Sequence, residues 1–146
     1  MTSGALSLKN FHEIKVGFEL PPVQKKVTQK TIDTYAQASG DFNPLHIDPE
    51  FASKTMFKGT IAHGLLSIGY ISEMMAGFFA DGWYSGSNME VSFLAPVRPG
   101  DTVTATGRVK SKEVKDNKGI VTCEVACINE EGAKVIAGTA AATVNL

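Results

Sequence analysis

Cysteine is scarce in this chain of 146 residues. Cys123 and Cys127 are the only two, and in the strand-like segment that holds them a four-residue offset separates them by roughly 13 Å. That span is too long for a disulfide between them. No Cys/His cluster at ligand spacing accompanies them, so neither a disulfide framework nor a metal site is indicated, and a reducing, cytoplasmic setting is expected. An excess of charge of either sign is also missing: 14 Lys and Arg face 15 Asp and Glu, a net charge of -1. Such a balance gives no electrostatic footprint for nucleic acid or an anionic membrane. The first ten residues carry one lysine and no apolar run of signal-peptide length. Repeats, low-complexity tracts and linker-like stretches are absent, and the length suits one domain over residues 1–146.

What remains is read from periodicity. Residues 11–27 contain short strand-like pieces broken at Gly17 and at Pro21-Pro22. Thr28 is a suitable N-cap for a helix carrying Ile32, Tyr35 and Ala36 at helical spacing, and Gly40 is a suitable stop. Asp48-Pro49-Glu50 opens a second, short helix to about Lys54, with an acceptor side chain followed by a preorganised proline. The main helix is expected from about Gly59-Thr60 to Phe79, apolar on nearly every face. A membrane span would need about 20 predominantly apolar residues, and His63, Ser67, Ser72 and Glu73 interrupt this one. A helix buried inside a globular domain is the better reading.

Beyond Gly82 the period changes to two. Met89, Val91 and Phe93 alternate with polar residues, as do Val103, Ala105, Gly107 and Val109, and then Val121, Cys123, Val125 and Cys127. The joints Arg98-Pro99-Gly100-Asp101, Asp116-Asn117-Lys118-Gly119 and Glu130-Glu131-Gly132 are turn-like. Connections this short predict a meander of antiparallel strands. The expected class is α+β, a long central apolar helix wrapped by a curved antiparallel sheet. Such a sheet leaves edges open, which predicts a homodimer.

The string Ser39-Gly40-Asp41-Phe42-Asn43-Pro44-Leu45-His46 places a carboxylate and an imidazole five residues apart in a proline-containing loop. By themselves such residues are often ordinary turn chemistry. Extended by Tyr35-Ala36 before it and Ile47-Asp48-Pro49-Glu50-Phe51-Ala52 after it, the string closely resembles the signature of the MaoC-like (R)-specific enoyl-CoA hydratases, a branch of the hot-dog fold. Ile61-Ala62-His63-Gly64-Leu65 resembles the head of that fold's central helix, and residues 91–101 the strand and turn that follow. The resemblance implies reversible syn addition of water to a trans-2-enoyl-CoA, giving a (3R)-3-hydroxyacyl-CoA, without metal or organic cofactor. It implies Asp41 and His46 as the catalytic pair, with Asn43 in a supporting role. The Gly64 amide would bind the thioester oxygen, and Ser72 would hydrogen-bond and orient Asp41.

The chemistry of these residue types agrees. A carboxylate and an imidazole sharing one water can withdraw its proton and return one to C2. Either group can be the formal base, because two coupled groups titrate as a unit. Charge developing on the thioester oxygen calls for a preorganised donor, and a glycine amide near a helix N-terminus is unobstructed and favoured by the macrodipole. On a helix Gly64, Ile68, Ile71 and Ser72 share a stripe, although Ser72 could equally bond back to its own helix. His63 reads as a structural residue with a supporting role, and Met74 and Met75 as core or interface. Arg98 either decorates a turn or meets a CoA phosphate.

Three other functions compete with the hydratase. A 3-hydroxyacyl dehydratase acting on acyl carrier protein shares its reaction coordinate. A hot-dog thioesterase would need a separate carboxylate at a helix start to attack the carbonyl. A non-catalytic acyl-binding subunit is disfavoured by the intact Asp41, Asn43 and His46.

Overall fold

The pattern of alternating and all-round apolar segments resolves, in a computed structural model describing residues 10–146, into one sheet and one principal helix. The elements are β1 (Val23–Lys26), α1 (Gln29–Ser39), α2 (Pro44–Ile47), α3 (Pro49–Ser53), α4 (Gly64–Phe79), α5 (Asp81–Tyr84), β2 (Asn88–Phe93), β3 (Thr102–Lys115), β4 (Lys118–Ile128) and β5 (Lys134–Val144). A 3-10 turn, Phe11–Glu13, precedes them. The expected α+β class holds, with five antiparallel strands in an open sheet.

Strands β3 and β4 are joined by a tight turn with both Asp116 and Asn117 at positive φ, 51° and 62°. Paired positive φ values match the right-handed twist of the flanking strands, which accounts for Asp-Asn at that corner. Strand β3 alternates a buried row, Val103, Ala105, Gly107 and Val109, with an outward polar one. Register shifts at Val109/Ser111 and at Cys127/Ile128 bend the long strands around the helix.

Helix α4 lies in that concavity. Ser67, Ile71, Met74, Met75 and Phe79 form its buried face, and Ile71 and Met75 are fully enclosed. Each such side chain contributes about 1.5–3 kcal/mol through burial. None of the described helices is long and apolar enough to cross a membrane.

Three expectations are corrected. The strand order is β1-β3-β4-β5-β2, so only β3, β4 and β5 form a meander. Strand β2 pairs with β5 instead of β3, and residues 94–101 carry the chain to the far side of the sheet. Eight residues can span roughly 27 Å, and the crossing is fastened by hydrogen bonds from Ala62 N–H to the Val97 carbonyl and from Gly100 N–H to the Val27 carbonyl, each 2.7 Å.

The central helix starts at Gly64, later than the expected Gly59-Thr60, because Ile61 and Ala62 donate their N–H groups to the Leu45 and Val97 carbonyls in place of helical partners. The Pro-containing loop also holds a helical turn of its own, α2, opened by Asn43 and Pro44, and His46 stands on it. Other expectations stand. Thr28 caps α1 in a reciprocal capping box with Thr31, Gly40 ends it at φ 79°, and Asp48 caps α3.

Candidate active site

The segment after α1 is a relay of short side-chain caps. Ser39 Oγ accepts from Asp41 N–H at 3.2 Å, an Asp41 carboxylate oxygen from Asn43 N–H at 3.2 Å, and Asn43 Oδ1 from Leu45 N–H at 3.0 Å. Each link fixes the next backbone turn, which explains why Ser, Asp and Asn occupy these positions. The relay leaves the Asp41 side chain exposed while turning His46 inward, half-buried.

His46 is oriented by its backbone neighbours. Its Nδ1 lies 2.7 Å from the Ile61 carbonyl oxygen, and since a carbonyl can only accept, Nδ1 carries the proton and Nε2 of the neutral ring is bare. The backbone carbonyl of His46 in turn accepts from the Gln29 amide at 2.8 Å, and Gln29 Oε1 accepts from Thr60 Oγ1 at 2.7 Å. Gln29 thus ties α1, α2 and the approach to α4 together.

His63 is the N-cap residue of α4 and is only 3% exposed. Its Nε2 donates to the backbone carbonyl of Asp41 at 3.0 Å, and its ring stacks on that of His46 with Tyr35 on another side. Among the described residues its Nδ1 is buried without a partner.

One ligand atom from each of Asp41, His46 and His63 falls within 4.8 Å of the others. A single water held by hydrogen bonds of about 2.8 Å bridges two groups at such a separation. Two imidazoles and a carboxylate are also a transition-metal donor set. Here, however, the His63 Nε2 proton is committed to the Asp41 carbonyl and its Nδ1 is enclosed. Two accessible acceptors remain, which suits a water better than a metal ion.

Beside the trio, His46, His63, Gly64 and Ser67 share a cavity of about 540 Å³ with the apolar residues Ile61, Phe93, Val97 and Ile136. The Gly64 N–H opens α4 and has no hydrogen-bond partner among the described residues. The 16-residue helix behind it adds a favourable dipole for negative charge.

Residues 10–131 match the family model described as "MaoC like domain". The chain belongs to the MaoC-like family. It is 36% identical over 144 residues to the (R)-specific enoyl-CoA hydratase of Rhodospirillum rubrum, covering 99% of this chain and 97% of the relative. A mitochondrial 3-hydroxyacyl-[acyl-carrier-protein] dehydratase of Arabidopsis thaliana is 30% identical over 139 residues, 91% of this chain and 82% of that one. Among solved structures, the (R)-hydratase of A. caviae involved in PHA biosynthesis superposes with a TM-score of 0.73 at 32% identity, covering 91% of this chain and 97% of that chain. This MaoC-like protein therefore has the hot-dog fold and is a hydro-lyase of the hydratase and dehydratase kind.

In this MaoC-like enzyme Asp41, His46, His63 and Gly64 come together, with Asn43 behind them as the cap of α2. Ser72 does not join them: its Oγ accepts from Trp83 Nε1 at 2.9 Å, and it makes no hydrogen bond to Asp41. The reason is local, since Trp83 on α5 is 7% exposed and a buried indole N–H needs an acceptor. Gln29 and Phe93 belong to the site's surroundings without having been marked by the sequence. Gln29 carried no signal beyond following an N-cap, and Phe93 was one of several apolar positions in an alternating strand.

Proposed function

We propose that the chain catalyses the reversible syn hydration of a trans-2-enoyl-CoA to a (3R)-3-hydroxyacyl-CoA. The observation that carries this is the His46 Nδ1 to Ile61 hydrogen bond of 2.7 Å, with the Asp41 carboxylate close by. With Nδ1 held, His46 keeps its other ring nitrogen for a reactant, and one ligand atom each of His46 and Asp41 lie within 4.8 Å, a span that one water can bridge. In this reading Asp41 and His46 hold the reacting water, take its proton as oxygen attacks C3, and return a proton to C2 on the same face. The Gly64 N–H stabilises the enolate-like thioester oxygen, a term of about 3–4 kcal/mol where such donors have been removed from enzymes. Asn43 and His63 position the pair through the backbone of the loop, and the apolar cavity receives the acyl chain.

CoA is favoured over a protein carrier by the greater likeness to the Rhodospirillum rubrum hydratase than to the Arabidopsis thaliana dehydratase. The test is a parallel assay with crotonyl-CoA and crotonyl carrier protein, following loss of the conjugated enoyl absorbance and the configuration of the product. Hydration of the CoA ester to the (3R) alcohol is expected. A strong preference for the protein carrier would transfer the function to the dehydratase, and free thiol without hydration would make it a thioesterase.

The functional unit is proposed to be a homodimer. Among the described residues β2 is an edge strand with no partner on its outer side, and Leu65 and Leu94 beside the cavity are 62% and 57% exposed. Light scattering on dilute protein checks this, and a concentration-independent mass of 15.6 kDa would refute it.

A further inference from the structure

The helix head has a wall on one side. A Cβ built on Gly64 would meet the ring of Phe93, with Cδ1 at 2.9 Å and Cζ at 3.0 Å and Cε1 closer still. Gly64 is therefore glycine for a second reason besides access for a thioester: Phe93 already occupies the space a side chain would need. Phe93 is not there as core, since it is 58% exposed. It ends β2 in register with Ile136, which is buried and lines the same cavity, and the next residue is fastened by Leu94 N–H to the Val135 carbonyl at 2.8 Å. The strand thus delivers an aromatic ring to the side of the Gly64 N–H, an amide with no hydrogen-bond partner among the described residues.

We propose that Phe93 determines acyl specificity at C2, admitting straight-chain enoyl thioesters and excluding those branched at that carbon. The inference rests on the reading of Gly64 as the thioester donor. With the thioester oxygen on the Gly64 N–H, C2 lies two bonds from that oxygen and beside the ring that crowds the Gly64 Cα. A hydrogen at C2 fits along such a wall, whereas a methyl group directed to the Phe93 side overlaps it. Phe93 takes no part in proton transfer. It decides which substrates reach the geometry in which Asp41 and His46 act.

The experiment compares kcat/KM for crotonyl-CoA and for its 2-methyl derivative, tiglyl-CoA, in the wild type, Phe93→Ala and Phe93→Leu. The branched ester is intrinsically less reactive, but that factor is common to all three proteins and cancels when their ratios are compared. One methyl group in an apolar pocket is worth roughly 10–200-fold in discrimination. Phe93→Ala is expected to shift the ratio toward tiglyl-CoA by at least about tenfold within that range, with Phe93→Leu between it and the wild type. A ratio that stays constant, including a parallel fall of both rates, would overturn the proposal and leave Phe93 a packing residue.

The wall has a readout that does not need catalysis. Gly64→Ala should lower the melting temperature in the wild-type background and lower it less in the Phe93→Ala background. Equal losses in both would show that the ring does not limit the site and would overturn the proposal on its own. A wild-type protein that fails to hydrate crotonyl-CoA would sink the hydratase reading and this inference together. Normal hydration with an unshifted ratio would sink the Phe93 assignment alone.

Discussion

His46 and His63 lie ring over ring, with centroids 3.9 Å apart and planes 29° from parallel. Their hydrogen bonds cross: His46 Nδ1 holds the Ile61 carbonyl just before α4, while His63 Nε2, at the head of α4, holds the Asp41 carbonyl in the loop before α2. The two histidines thus clasp the Asp41 loop to the helix head.

His63→Phe keeps a stacking ring and removes the donor to Asp41. It is expected to lower kcat by up to about 100-fold, the scale of an angstrom-sized misplacement, and to change KM much less. Leaving the Asp41 carbonyl unpaired should cost about 1–3 kcal/mol of stability. Steady-state kinetics and denaturant unfolding check both effects, and an unchanged kcat would show that the clasp does not position Asp41.

Asp41→Asn and His46→Gln test the two groups proposed to react. Each is expected to reduce turnover by about 10²–10⁴-fold, the contribution typical of a positioned acid or base. KM should move little, because the lost interaction belongs to the transition state. Asp41 is exposed, so its variant should retain the wild-type unfolding midpoint. Near-normal turnover in either variant would exclude the proposed mechanism.

Ser72→Ala distinguishes the role implied by family resemblance from the one the structure supports. With Trp83 Nε1 as its partner at 2.9 Å, Ser72 joins α4 to α5, and its loss should destabilise the fold by about 1–3 kcal/mol through a stranded indole N–H. Turnover of the folded variant should match the wild type. A loss of kcat beyond tenfold, with folding intact, would restore Ser72 as the group that orients Asp41.

Local signals were legible because they act over a few residues. Thr28, Gly40 and Asp48 set helix ends through caps that depend only on their neighbours, and β3 showed its buried face by strict alternation. The pairing of β2 with β5 was not legible. Both edges of a curved sheet present the same unpaired groups, and the turn-like Arg98-Pro99-Gly100-Asp101 does not reveal that the chain is passing from β2 at one edge of the sheet to β3 near the other. The site divided in the same way. Asp41, Asn43 and His46 are linked by neighbouring backbone, whereas Phe93 reaches Gly64 only through tertiary packing. Ser72 failed because helical spacing gives a direction without naming what stands there, and the buried Trp83 claimed the hydroxyl first.

The two cysteines provide a chemical test of the core. Both sit on β4 with no exposed surface, and burial pushes the Cys123 thiol up to about 12 and the Cys127 thiol up to about 11. Cys127 also directs its Sγ toward the Ser67 carbonyl at 3.6 Å. Since the thiolate is the nucleophile, alkylation by iodoacetamide at pH 8 should be orders of magnitude slower in the native protein than in the unfolded chain. The same shifts set a pH dependence. Below an unfolded thiol pKa of about 8.5 both states are protonated, and the favourable burial of the neutral thiols is fully present. As pH rises from there toward the folded values, the unfolded chain loses protons that the native state retains, so stability falls. Denaturant unfolding between pH 8 and 10.5 should show the decline, and replacing both residues with Ala should flatten it while lowering stability at pH 8. Rapid native-state alkylation, or a decline that persists undiminished in the double variant, would show that these thiols do not carry it.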